Sequence, residues 1–328
     1  MATYVLRYDL RAPAWGPATH AELYAACLEQ CAWADDKGFS MAVISEHHGV
    51  AEDGYMSSPL VVAAAIAGRT RALPISIQAL LVPLHDPLRL AEDLAALDLM
   101  SGGRSSFTAG LGYRDEEFEM FGVDRRRRAP ILEETVEVLR RAWTGEPFEH
   151  RGRTVRVTPR PLSQPHPLMF IGGSVPVSAR RAARMRLPFW AAVGDPLLAE
   201  VYRAECAAVG YGEGFAVIPE GVAGFVHVTE DPERAWADIA PHALHEARSY
   251  ASWQHADQRS QVHVEADDLD ALKASGVYRV VTPDECVELA RGMGPMGALV
   301  LHPLMGGMSP ELGWASLELF AAKVAPRL

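Results

Sequence analysis

The chain has 328 residues, 49% of them hydrophobic, with 42 acidic against 31 basic side chains and a net charge of −11. That is ample for a large core, and it argues against nucleic acid as a partner, which needs a net basic face. The four cysteines, Cys27, Cys31, Cys206 and Cys286, are few and scattered, no basic-then-apolar stretch opens the sequence, and the apolar runs are short; core thiols, a reducing cytoplasmic home, no secretory signal and no membrane span are expected.

Short apolar runs alternate with longer helical patterns along the chain. Residues 3–8 read as a strand. Residues 19–37 read as a helix, with Thr19 as cap, Glu22 three later as in a capping box and Gly38 as the stop. A second strand at 41–45 precedes a helix at 58–70 that Ser58 caps and Pro59 begins. A third strand at 75–82 and a helix at 86–102 repeat that entry, and 105–112 is a fourth strand. A long helix covers 128–143, and 148–157 reads as a hairpin turning at Arg151–Gly152. Strands at 167–173, 187–193, 221–229 and 297–304 follow, with helices at 176–186, 195–209, 232–250 and 309–323.

Eight strands, most followed by a helix, predict an α/β chain forming a single (β/α)8 TIM barrel over residues 1–328. No glycine fingerprint follows the first strand, as a doubly wound nucleotide fold requires. The polar, aperiodic stretch 251–282 reads as an insertion after strand seven, either a lid or a contact loop.

In such a barrel the polar residues after each strand share one cavity. The second strand ends in Ser45, Glu46, His47 and His48, and the third brings Gln78 and then His85. The fourth brings Gly110, Gly112 and Tyr113, the fifth Gly172, Gly173 and Ser174, the sixth Trp190 and the eighth His302. These histidines lack recurring carboxylate–histidine spacing and cysteine company, so no metal is expected. "FIGGSVPVSARRAAR" (170–184) places a glycine pair, Ser174 and Ser178 at a helix start, where bare N–H groups bind phosphate. "DRRRRAP" (124–130) reads as a solvated face from which Arg128 can turn inward to a ligand phosphate.

The segments "SEHH", "LVPLHDPLRLAEDLAALDLMSGGR", "GLGYRDEEFEMFGVD" and "PRPLSQPHPLMFIGGS" resemble the bacterial luciferase-like flavin-dependent monooxygenases. The match is dense over 1–193 and returns over 283–328. The resemblance implies a (β/α)8 barrel, usually a homodimer, that takes reduced FMN at the strands' C-terminal mouth. In the family, dioxygen adds at flavin C4a, and the hydroperoxide oxidises a small-molecule substrate. A separate flavin reductase supplies the reduced flavin, since no nicotinamide fingerprint appears here. The resemblance also implies that His47 is catalytic, with Glu46 or His48 holding its tautomer. It places a non-proline cis peptide at Gln78–Ala79 against the flavin ring and the phosphate on Gly172, Gly173, Ser174 and Ser178. Leu111, Phe170 and Trp190 are expected to form an apolar mouth that excludes water, and His302 is expected in the substrate pocket. One departure is Leu111, which stands where bacterial luciferase has a phosphate-gripping arginine. Relatives with this form include users of the 8-hydroxy-5-deazaflavin coenzyme, an obligate hydride carrier. The rivals are therefore a deazaflavin-dependent reductase or dehydrogenase, a non-catalytic flavin-binding partner subunit, and a metal-dependent barrel hydrolase.

Overall fold

The computed structural model describes residues 3–219, 223–254, 260, 264–294 and 296–328. The first half contains β1 (Thr3–Tyr8), α1 (His20–Ala34), β2 (Met41–Ile44), α2 (Pro59–Arg69), β3 (Ile75–Leu80), α3 (Pro87–Ser101), β4 (Ser105–Ala109), α4 (Asp115–Phe121), α5 (Arg128–Ala142), β5 (Phe148–His150) and β6 (Arg153–Val155). The second half contains β7 (Leu168–Gly173), α6 (Pro176–Arg184), β8 (Phe189–Ala191), α7 (Pro196–Ala208), β9 (Ala216–Val217), β10 (Ala223–Val228), α8 (Pro232–Trp253), α9 (Leu269–Ala274), β11 (Tyr278–Val281), α10 (Pro283–Arg291), β12 (Ala298–Leu301) and α11 (Pro310–Lys323).

Local chemistry explains the helix starts. Thr19 and Glu22 form the reciprocal capping box of α1. Asp86 accepts from the backbone N–H groups of Leu88 and Arg89 at the head of α3, whose first residue is Pro87. Ser58 makes no such side-chain bond, so α2 begins on Pro59 alone. The hairpin of β5 and β6 turns where expected, with positive φ at Arg151 and Gly152.

Ten strands form one sheet in the order β11-β10-β12-β1-β2-β3-β4-β7-β8-β9, and its neighbours pair in parallel. Side chains alternate between its two faces with period two. In β1, Val5 and Arg7 face a central cavity, while Leu6 and Tyr8 are buried in the layer shared with the helices. In β2, Val43 faces the cavity and Ala42 and Ile44 face the helices. Residues from β1, β2, β3, β4, β7, β8, β10 and β12 line that one cavity, so the sheet curls into the (β/α)8 barrel.

The expected insertion differs from a loop. The helix α8 runs on to Trp253, and α9 and β11 follow; β11 pairs with β10, Tyr278 opposite Phe225. Four residues of strand in polar surroundings, with only Tyr278 and Val280 buried, leave too little alternation to read. Residues 255–259 and 261–263 of that stretch lie outside the described residues. The two-residue β9 was equally below what a pattern can show.

Candidate active site

Beyond the end of β2, Glu46 is 1% exposed and saturated with donors. Its Oε1 accepts from Nε2–H of His48 at 2.9 Å and of His85 at 2.8 Å, and its Oε2 accepts from the backbone N–H of Leu81 at 2.5 Å. Burial alone would raise its pKa, but the hydrogen bonds from His48 and His85 outweigh it and bring Glu46 down to about 2. Glu46 is therefore a fixed carboxylate that ties the ends of β2 and β3 together, and not a proton donor.

His47 faces the other way. Its Nδ1 lies 2.8 Å from Oε1 of Glu117, a residue of α4 that is fully buried. A carboxylate only accepts, so Nδ1 carries the proton and Nε2 is left to accept from the Tyr113 hydroxyl at 3.2 Å. The same Glu117 oxygen accepts the backbone N–H of His48 at 3.0 Å, and Arg114 donates to the His48 carbonyl at 2.8 Å. This corrects the sequence expectation: Glu117 holds the tautomer, because Glu46 and His48 are engaged with each other. The rings of Tyr55, Tyr113, Tyr250 and Trp253 surround the imidazole at centroid distances from 4.7 to 6.2 Å.

Glu46 and His47 line a cavity of about 470 Å³, within the range of small-molecule sites. The ten residues expected to hold a cofactor also line it. They come from β3 (Gln78, Ala79), from the turn after β4 (Gly110, Gly112, Tyr113), from α5 (Arg128), and from the end of β7 and start of α6 (Gly172, Gly173, Ser174, Ser178). Leu111 and Trp190 line it too. The peptide between Gln78 and Ala79 is cis. Phe170 does not reach the lining; it packs edge-on against Trp190 with centroids 5.1 Å apart. His48 stands behind Glu46.

The wall suits a ligand with a phosphate. A Cβ on Gly173 would lie 2.3 Å from Ser178, and one on Gly110 would lie 2.7 Å from the Ala79 methyl, so only glycine permits these approaches. No side chain caps the N-terminus of α6, which leaves that end open to an anion. Arg128 brings a guanidinium to the same cavity while donating to the Gly112 carbonyl at 2.7 Å. Thr108 Oγ1 is buried without a protein partner, on a residue of the cavity wall.

Behind this wall lies a buried cluster that the sequence did not announce. His302 is not in the lining, contrary to expectation; it is 1% exposed, with Nε2 3.5 Å from Asp9 and Nδ1 3.7 Å from Glu246. Val300 is the inward residue at the end of β12, and α8 covers His302 with Glu246. Burial would raise the Asp9 pKa, but His302, with Arg11 and Arg7 beside it, offsets that and holds Asp9 at about 2. Ligand-type atoms of Asp9, Glu246 and His302 lie within 4.8 Å of one another. Each ring nitrogen faces a different carboxylate, and neither nitrogen makes a hydrogen bond among the described residues. Arg7 stands 3.2 Å from Glu246 and donates to the Tyr250 hydroxyl at 3.0 Å.

Residues 10–297 match the sequence model of a family described as luciferase-like monooxygenase. Two uncharacterized proteins of Sinorhizobium fredii are 30% and 34% identical over 48% and 50% of this chain, and the matches span about half of their lengths, 46% and 49%. Limonene 1,2-monooxygenase of Rhodococcus erythropolis is 28% identical over 91% of this chain and 80% of its own. Monooxygenase RslO1 from Streptomyces bottropensis has the same fold, with a TM-score of 0.76 at 24% identity over 99% of both chains. The oxygenating constituent of 3,6-diketocamphane monooxygenase from Pseudomonas putida, solved with FMN, gives 0.71 at 19% identity over 100% of this chain and 99% of that one. An F420-dependent secondary alcohol dehydrogenase gives 0.68 at 16% identity over the same shares.

Proposed function

This chain belongs to the luciferase-like monooxygenase family, and on that premise we propose that it is a flavin-dependent monooxygenase using reduced FMN and dioxygen on a small organic substrate. The observation that carries the reading is His47, with Nδ1 fixed on a buried carboxylate and Nε2 turned toward a cavity whose glycine-rich wall suits a flavin phosphate. Gln78, Ala79, Gly110, Gly112 and Tyr113 would hold the ring system. Gly172, Gly173, Ser174 and Ser178 would take the phosphate, and Arg128 would supply from α5 the cation that Leu111 cannot. When bound, reduced flavin supplies the electron pair with which dioxygen gives one oxygen atom to the substrate and the other to water.

The chain's own groups handle protons and water. His47 accepts or returns a proton at Nε2, and Glu117 stabilises the imidazolium that forms. The Tyr113 hydroxyl is the next proton site along that line. Leu111, Trp190 and the rings around His47 exclude water, which a reactive oxygen species requires. With no nicotinamide fingerprint after β1, the reduced flavin would come from a separate reductase.

The fold admits two coenzymes, since one structural relative binds FMN and another is F420-dependent. The "SEHH" turn and the β3 segment favour FMN here. Anaerobic titration with reduced FMN and, in parallel, the reduced deazaflavin tests the choice. Binding of FMN that Arg128→Ala weakens is the expected result. Binding of the deazaflavin alone would move the protein to hydride transfer with a reducible substrate, and binding of neither would remove the flavin reading.

A further inference from the structure

A chain of hydroxyl groups runs along the cavity wall from Arg7 through Tyr250 and Tyr55 to Ser45. Arg7 donates from Nη2 to the Tyr250 hydroxyl at 3.0 Å, the Tyr250 and Tyr55 hydroxyls lie 2.6 Å apart, and Tyr55 lies 2.9 Å from Ser45 Oγ. A guanidinium has donors only. The Tyr250 oxygen therefore accepts from Arg7, and its own hydrogen goes to Tyr55. Tyr55 in turn gives its hydrogen to Ser45. The reverse order would leave the Tyr250 hydrogen beside a cation with no protein acceptor among the described residues. Ser45 is left with its hydrogen directed away from the chain, and Ser45 lines the cavity next to His47. Each hydroxyl in such a series polarises the next, so the last is a better donor than an isolated serine. The Glu46 carboxylate beside it is saturated by His48, His85 and Leu81, so no free acceptor there competes for the Ser45 hydrogen.

We propose that Ser45 anchors an acceptor oxygen of the substrate, that the substrate is of a class bearing a carbonyl or oxyanion, and that Tyr55 and Tyr250 are positioning residues that fix the direction of the Ser45 hydroxyl. This rests on reading the cavity as a monooxygenase site and adds to it which chemical group of the substrate is held.

The test uses acetophenone and ethylbenzene, which share size and ring and differ in the carbonyl. In the flavin-free protein, the infrared carbonyl stretch of bound, isotope-labelled acetophenone should fall below its value in an apolar solvent. Ser45→Ala should abolish the shift and cut the affinity ratio of acetophenone to ethylbenzene about tenfold, the worth of one hydrogen bond. Tyr55→Phe should reduce the shift with Ser45 in place, and Ser45→Thr should restore it. An unshifted carbonyl, no bound carbonyl signal, or a shift that survives Ser45→Ala would overturn the proposal. Reduced FMN titrated into the same proteins reads the flavin assignment separately. A carbonyl shift without FMN binding would keep the anchor and remove the monooxygenase reading; FMN binding without the shift would do the opposite.

Discussion

Glu46 keeps its charge in a place closed to water because three N–H groups converge on it. Its pKa in the fold is about 2 against an ordinary 4.5. A depressed carboxyl contributes stability above the ordinary value and loses it as pH falls through the folded value. The linkage is worth about 3 kcal/mol at neutral pH. Glu46→Gln should therefore be less stable than wild type at pH 7, and chemical denaturation should show the gap narrowing toward pH 2. A gap independent of pH would mean that charge is not what Glu46 contributes. His47→Ala should leave FMN binding intact and lower coupled substrate oxidation about 10²- to 10⁴-fold. Glu117→Gln keeps an acceptor for Nδ1–H and removes the charge behind it, so it should slow turnover by about tenfold without touching FMN affinity. His47 was legible because a strand ran straight into a polar turn. Glu117 was not: no element was expected over 115–121, and only the packed fold forms α4 and turns Glu117 inward while Asp115 and Glu116 stay exposed.

At the scale of elements, the cap-and-proline entry of α3, the hairpin and the eight barrel strands follow from local pattern, which is strong where helix and strand periods differ. The pattern fails at β9 and β11, short strands in polar sequence with too little apolar alternation to read, which tertiary pairing alone defines. It also stopped α8 short at Tyr250, although Glu246, Tyr250 and Trp253 share one helical face toward the site. The junction of β7 and α6 was readable because glycines there do what no other residue can. Gly173→Ala would force a methyl onto Ser178, so FMN affinity should fall while Gly152→Ala, in the exposed hairpin turn, leaves FMN affinity unchanged; equal loss at both positions would contradict a phosphate site at α6.

For the whole molecule, the acidic balance argues against nucleic acid as a partner, and no helix among the described residues is long and apolar enough to cross a membrane. Val61 of α2 and Leu99 and Met100 of α3 are exposed apolar side chains on two helices that pack together. We expect them to be covered in a homodimer, which light scattering should read as twice the chain mass and as one chain mass in Val61→Glu; an unchanged mass in that variant would move the interface elsewhere. The central claim is that the cavity holds reduced FMN while dioxygen reacts. Its most direct test is rapid mixing of the anaerobic complex of protein and reduced FMN with aerated buffer, followed by absorbance. A transient spectrum belonging to neither reduced nor oxidised flavin, outliving the oxidation of free reduced FMN, is the expected result. Oxidation at the free rate with no transient would contradict the account.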